Sequence, residues 1–232
     1  MIGARRSEDR GHSKHGWLDR RLTFSFADYQ DPRHMGYGAL RVLNEDRIAP
    51  GAGFPSHAHN DLEILSYVIA GGLQHRDSLG NEMVLRPGEV QWFSAGRGVT
   101  HSEYNASATE SLHFLQIYIL PDQEGLDPAC VMKAFPTAER RGRLRRIASR
   151  DAREGSLPIH QDIDVYASIL APGERVTQPY DPRHHAWLQM AGGSLRLNGQ
   201  TLSTGDGAAI AEESSIAIEA IDTAEFLLFD LR

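Results

Sequence analysis

The chain has 232 residues, is 41% hydrophobic and 24% charged, and carries a formal net charge of -7. That length supports one large all-β domain or two small ones with their own cores, and the acidic balance argues against a general electrostatic grip on nucleic acid. Cys130 is the only cysteine, so no intrachain disulfide is expected, and with neither a leader-like segment nor an apolar run of membrane length the expected location is cytoplasmic.

The first 35 residues are polar and broken, with Phe24-Ser-Phe26 as one short alternating run. An extended segment is predicted from Gly38 to Leu43, and Pro50-Gly51-Ala-Gly53 marks a turn. Leu62 to Ile69 is rich in Ile, Val and Tyr, ends at Gly71-Gly72 and reads as a strand with a tight turn. Leu79 to Glu82 looks like a hairpin tip, Met83 to Leu85 returns from it, and Pro87-Gly88 turns again. Val90–Ser94, Leu112–Leu120, Ile159–Leu170 and Glu225–Leu231 are further strand candidates. Short strands separated by Gly, Pro and Asn turns predict a sandwich or barrel. Residues 121–156 differ: prolines interrupt them, and seven arginines fall between Arg140 and Arg153, a run expected to form a solvated face.

A faint internal repeat accompanies these strands. Ala70-Gly71-Gly72 returns as Ala191-Gly192-Gly193, an offset of 121 that pairs His57 with Gln178 and His59 with Tyr180. Two related barrels would explain the echo, with metal ligands in the first alone. The expected division is 1–122 for an N-terminal metal-binding barrel, 123–156 for a linker and the opening of the second half, and 157–232 for the C-terminal barrel.

The chemistry concentrates in His57-Ala-His59 and His101-Ser-Glu103. Side chains at i and i+2 of a strand share a face. Two such pairs facing each other would present three imidazoles and one carboxylate to a common point. This donor set suits a divalent transition metal and leaves coordination positions for water, substrate or dioxygen. An isolated His-x-His is usually a surface or core feature; its pairing with His-x-Glu is what carries weight here.

The order Gly51, His57-x-His59, Glu63, Gly71 resembles the first motif of the cupin superfamily. Glu63 stands one residue early, and a one-residue shift on a strand turns a side chain to the opposite face, so Glu63 is not expected as a ligand. Gln91 occupies the place where the second cupin motif offers a His. Words along the whole chain resemble the pirin family, a branch of the bicupins. They include Arg10-Gly-His12, His15-Gly-Trp-Leu18, Thr23-Phe-Ser-Phe-Ala27, Met35-Gly36, Ala39-Leu-Arg-Val42 and Glu63-Ile-Leu65. Others are Ser94-Ala-Gly96, Gly98-x-x-His101-Ser-Glu-Tyr-Asn105, Leu112-His113, Gln116-Ile117, Asp151-Ala-Arg153, Gly155-Ser156, His160-Gln-Asp162 and Phe229-Asp-Leu231.

The resemblance implies an all-β bicupin, two jelly-roll barrels in one chain, with one metal bound by His57, His59, His101 and Glu103. Iron(II) is the first choice, with Cu, Mn, Co, Ni or Zn as alternatives. It also implies quercetin 2,3-dioxygenase activity, in which a flavonol heterocycle is opened by O2 with release of CO and Glu103 acts as both ligand and base. The alternative that the resemblance carries is a non-enzymatic, metal- or redox-responsive regulator that binds other proteins. Neither reading calls for direct nucleic-acid or membrane binding.

The remaining histidines read as structural. His12, His15 and His34 lie in irregular segments, His75 is expected as a solvated hairpin residue rather than one at the pocket mouth, His113 as a hydrogen-bonded core residue rather than a fifth ligand, and His184-His185 point to opposite faces. Tyr104 and Asn105 are expected to shape the turn after the site. Phe24, Phe26, Met35 and Phe54 are candidates to line an apolar mouth.

Overall fold

The computed structural model describes all residues, 1–232, and is built almost wholly of strands. In chain order these are β1 (Ile2–Arg5), β2 (Gly11–His15), β3 (Leu18–Leu22), β4 (Leu40–Ile48), β5 (Gly53–His59) and β6 (Glu63–Ala70). They continue with β7 (Leu73–Asp77), β8 (Glu82–Leu85), β9 (Glu89–Ser94), β10 (Val99–Asn105), β11 (Leu112–Ile119) and β12 (Ala129–Ala134). The second half holds β13 (Arg145–Ser149), β14 (Leu157–Pro158), β15 (Ile163–Leu170), β16 (Arg175–Pro179) and β17 (His185–Gly192). It closes with β18 (Ser194–Leu197), β19 (Gln200–Ser203), β20 (Gly207–Ala211), β21 (Ser215–Ala220) and β22 (Ala224–Leu231).

The chain divides into two compact units. One comprises Gly11–Ala134 with Ile159–Gln161; the other comprises Met1–Arg10, Phe135–Pro158 and Asp162–Arg232. In the first, a seven-stranded sheet in the order β12-β9-β6-β11-β4-β3-β2 accompanies a four-stranded sheet in the order β5-β10-β7-β8. The second repeats the plan, with β1-β20-β17-β22-β15-β13-β14 and β16-β21-β18-β19. Each unit is a cupin barrel, so the fold is the all-β bicupin.

These boundaries correct the division 1–122, 123–156 and 157–232. Strand β1 pairs with β20 and so belongs to the C-terminal barrel, while β12, placed in the linker by its composition, pairs with β9 in the N-terminal barrel. An edge strand is assigned by the partner that satisfies its backbone, and that partner can be distant in sequence.

In the N-terminal barrel, the central strands β6 and β11 are buried along nearly their whole length, which is why they read as near-continuous apolar runs. Leu73 and Leu85 of the small sheet pack with Val68, Leu112 and Phe114 of the large one. In the C-terminal barrel the interior is filled by Leu188, Met190, Ile218, Phe226 and Leu228 among others. Tyr180, paired with His59 by the 121-residue offset, is buried there with its hydroxyl 2.8 Å from Asp230 Oδ1 and 2.7 Å from the His185 carbonyl oxygen. The echo of the glycine words has a common cause. Gly71 (φ +84) and Gly193 (φ +72) end β6 and β17 in the left-handed region, and a Cβ would lie 2.8 Å from the Ser111 carbonyl oxygen or 2.0 Å from that of Thr223.

Candidate metal centre

Strands β5 and β10 are antiparallel neighbours, with His57 directly opposite His101 and His59 opposite Val99. The register then slips: Glu103 stands opposite Phe54, so β5 takes three residues where β10 takes two. Pro55 sits in this bulge, where a residue without an N–H costs the ladder nothing. Gly53 is required beside it, because a Cβ there would come within 2.2 Å of the Glu103 carbonyl oxygen and 2.5 Å of Tyr104 Cα. The consequence is a tight cluster. Ring centroids are 4.4 Å apart for His57 and His101, 4.8 Å for His57 and His59, and 4.9 Å for His59 and His101. One ligand nitrogen from each lies within 4.8 Å of the others, and Glu103 adjoins the cluster within the same distance of His101 and His75.

The free lone pairs of this cluster suit a cation. His59 Nε2, His101 Nε2 and Glu103 Oε1 are buried with no hydrogen-bond partner in the protein. Such atoms are costly unless something else satisfies them. His57 Nδ1 lies 2.8 Å from the Pro55 carbonyl oxygen, so it carries the proton and leaves the Nε2 lone pair free. Burial, with the neighbouring His57, lowers His59 to about 4; burial and the surrounding histidines lower His101 further. Both imidazoles are therefore neutral, the state a metal needs. Burial pushes the Glu103 carboxyl up to about 7, Asp46 adds to the rise, and Arg20 and Gln116 oppose it. Three neutral imidazoles and one carboxylate form a donor set that suits a divalent cation, with a residual charge near +1.

Beside the histidines a cleft of about 280 Å³ opens between Arg20, Phe26, Phe54, Gln116 and Tyr118. A second cavity of about 330 Å³ shares Phe26, His59 and Tyr118 with it. Phe26, Phe54 and Tyr118 give the first cleft its aromatic walls. Arg20 joins Asp46 through two bonds of 2.6 Å and lies over Phe54, 4.9 Å from the ring centroid, and over Phe26 at 5.5 Å.

The family model of pirin matches residues 3–119, half of the chain, and that of the quercetinase C-terminal cupin domain matches residues 146–231. The chain belongs to the pirin family. A protein of Escherichia coli K12 named quercetin 2,3-dioxygenase is 45% identical over 231 residues, covering 100% of this chain and 99% of that one. A pirin-like protein of Caulobacter vibrioides is 40% identical over 231 residues, 99% of each chain. The crystal structure of bacterial pirin YhhW from E. coli, in complex with nickel(II), superposes with a TM-score of 0.95 at 44% identity, covering 100% of this chain and 99% of that one.

Several residues of this pirin fall elsewhere than the candidate site. Glu63 is buried on β6 and accepts bonds from Trp92 Nε1 (2.7 Å), Ser94 Oγ (2.5 Å) and the His160 backbone N–H (3.0 Å), while Ile64 packs in the core. His12 and His34 pair with Asp19 and Asp31 at the surface. His113 bonds Glu45 at 2.9 Å. Asn105 donates to the carbonyls of Ile48, Ala49 and Glu110 and so ties down the turn after β10. Phe26 and Phe54 line the cleft, whereas Phe24 is core and Met35 is exposed. The arginine run is largely engaged by carboxylates: Arg140 by Glu225, Arg145 by Glu139, and Arg146 and Arg153 by Asp164.

Two groups were missed. His75, expected in solvent, is fully buried on β7, opposite Glu103 in register. Its strand, Leu73-Gln-His-Arg-Asp77, alternates Leu73 and His75 inward, a period-2 signal hidden by the polarity of His. Arg20 sits between Leu18 and Leu22 on the inward face of β3, and the same alternation marks it.

Proposed function

We propose that His57, His59, His101 and Glu103 hold one divalent transition metal and that the chain is a pirin-type quercetin 2,3-dioxygenase, opening the flavonol heterocycle with uptake of O2 and release of CO. The observation that carries the metal assignment is the set of three buried lone pairs with no protein partner, on His59, His101 and Glu103. The relative named quercetin 2,3-dioxygenase, 45% identical over the full length, supports the reaction, and the nickel(II) complex of the E. coli pirin supports a divalent ion. Iron(II) is our first choice of metal, and the same nitrogen and oxygen donors also suit Cu, Mn, Co, Ni or Zn.

A divalent ion held by His57, His59, His101 and Glu103 would supply Lewis-acid and redox chemistry toward a hydroxylated substrate and O2. The chain's own residues do the rest. Phe26, Phe54 and Tyr118 enclose a flat aromatic substrate and keep water from it. Glu103 takes the proton of the flavonol 3-hydroxyl as a second role beside holding the ion. Gln116 Nε2 donates to Glu103 Oε2 at 2.9 Å and holds the carboxylate in place. The location of the reaction in the cell is proposed as cytoplasmic; no helix of the structure is long and apolar enough to cross a membrane.

The test is O2 uptake and CO release with quercetin after anaerobic reconstitution with Fe(II), Mn, Co, Ni or Cu in turn, beside Glu103→Ala and His101→Ala. Metal-dependent CO release that is lost in both variants is expected. No turnover in protein shown to carry each metal would sink the dioxygenase reading and leave the metal-responsive regulator in its place.

A further inference from the structure

His75 is buried completely and takes no part in the ligand set, yet both of its ring nitrogens are engaged. Nδ1 lies 3.5 Å from His101 Nδ1, and Nε2 lies 3.0 Å from Asp77 Oδ2. Asp77 is itself pinned by the hairpin tip. Its Oδ1 accepts from the backbone N–H groups of Leu79 (2.9 Å) and Asn81 (3.0 Å), and Oδ2 accepts from Asn81 Nδ2 at 2.9 Å.

With a neutral His75, the form its complete burial favours, these contacts have one consistent proton arrangement. An ionised carboxylate only accepts, so His75 Nε2 carries the hydrogen and His75 Nδ1 keeps a lone pair. His101 Nδ1 must then be the donor across the 3.5 Å contact. That leaves His101 Nε2 as the lone pair, and it is this atom that is buried with no protein partner. We infer that Asp77 and His75 form a positioning relay that fixes the tautomer of His101 and aims its Nε2 at the metal. The inference rests on His101 being a ligand, as proposed above. Asp77 and His75 touch neither ion nor substrate; they act through His101, as the outer partners of metal-bound histidines do.

The same region contains a rival. His75 Nε2, Asp77 Oδ2 and Cys130 Sγ could together face a thiophilic ion, since their ligand atoms lie within 4.8 Å of one another. An ion on His75 Nε2 would force the hydrogen to Nδ1, against His101, and reverse the tautomer there. The two arrangements exclude each other. The relay is favoured because Asp77 Oδ2 is already occupied by two donors and Gln91 Nε2 points at Cys130 Sγ at 3.3 Å.

The test uses the full-length 15N-labelled protein, with imidazole tautomers read by long-range proton–nitrogen correlation before metal is added and nickel(II) affinity read by chelator competition. In the wild type, His101 is expected as the Nδ1–H tautomer. Asp77→Asn keeps its carbonyl oxygen on the Leu79 and Asn81 N–H groups, so its amide N–H faces His75 and reverses the relay. His101 should switch to Nε2–H, and nickel affinity should fall about tenfold or more. His75→Leu should weaken binding similarly, whereas His75→Asn, which can place an oxygen where Nδ1 stood, should restore most of it. A purely structural role would make the two substitutions at 75 equivalent. The relay is overturned by an Nε2–H His101 in the wild type, by an Asp77→Asn protein unchanged in tautomer and affinity, or by a thiolate-to-metal charge-transfer band that Cys130→Ser removes. Failure of the ligand assignment looks different: nickel binding that survives His101→Ala, with the wild-type tautomer in the metal-free protein still deciding the relay.

Discussion

Gln116 donates to one oxygen of Glu103 at 2.9 Å, while the other oxygen of the same buried carboxylate has no protein partner. Strand β11 of the large sheet thus satisfies one oxygen of a carboxylate carried on β10 of the small sheet, and the other oxygen is open to the proposed cation.

Removing that donor tests the arrangement. Gln116→Leu is expected to forfeit a hydrogen bond to a charged group, worth about 1.5–3 kcal/mol, and to weaken nickel(II) binding by about tenfold or more at neutral pH. Chelator competition reads the change; an affinity equal to that of the wild type would mean that Gln116 does not hold the ligand.

Metal should stabilise the fold through linkage. At a free nickel(II) concentration 100 times Kd, unfolding free energy is expected to rise by about 2.7 kcal/mol, and the rise should vanish on chelation and in Glu103→Ala. Urea titrations with and without metal measure it, and a metal-independent midpoint would speak against a site formed only by the folded barrel.

Arg20 and Asp46 form a buried pair in which the Asp46 side chain is 0% exposed. Arg20→Met should remove the guanidinium paired with that buried carboxylate and destabilise the protein by about 3–5 kcal/mol. The double variant Arg20→Met, Asp46→Leu should recover most of this in the same urea titration, because apolar replacement of both members removes the buried charge together with its partner.

Cys130 supplies a pH test away from the proposed ligands. Burial pushes its thiol up to about 12, above the ordinary value it regains on unfolding. The neutral thiol favours the fold fully below that ordinary value, so its contribution is lost as pH climbs from about 9 toward 12. Wild type should lose more stability than Cys130→Ser over that window. At pH 8 the native thiol should react with a disulfide reagent far more slowly than the denatured one; equal rates would show that it is not shielded.

How far the site was legible depended on periodicity. His57, His59, His101 and Glu103 announce themselves because i, i+2 pairs on strands need only local geometry to share a face. Glu63 could be set aside on the same ground, and it does lie in another network, with Trp92 and His160. His75 and Arg20 were harder. Each is a polar residue in an inward slot, tolerated because a distant partner satisfies it: Asp77 with His101 for one, Asp46 for the other.

The sequence by itself determined the strand-and-turn rhythm and the donor types of the candidate centre, since these follow from side-chain alternation, glycine placement and residue chemistry along the chain, while the two-barrel plan came from the family resemblance with a faint repeat beside it. Only the tertiary structure decided that β1 completes the C-terminal barrel and β12 the N-terminal one, that β5 slips by one residue at Pro55, and that His75 stands behind His101. Those facts depend on which backbone edges meet and in what register. Strand pairing is a choice among distant partners, made by burial and hydrogen-bond satisfaction over the whole barrel rather than by any local stretch of residues.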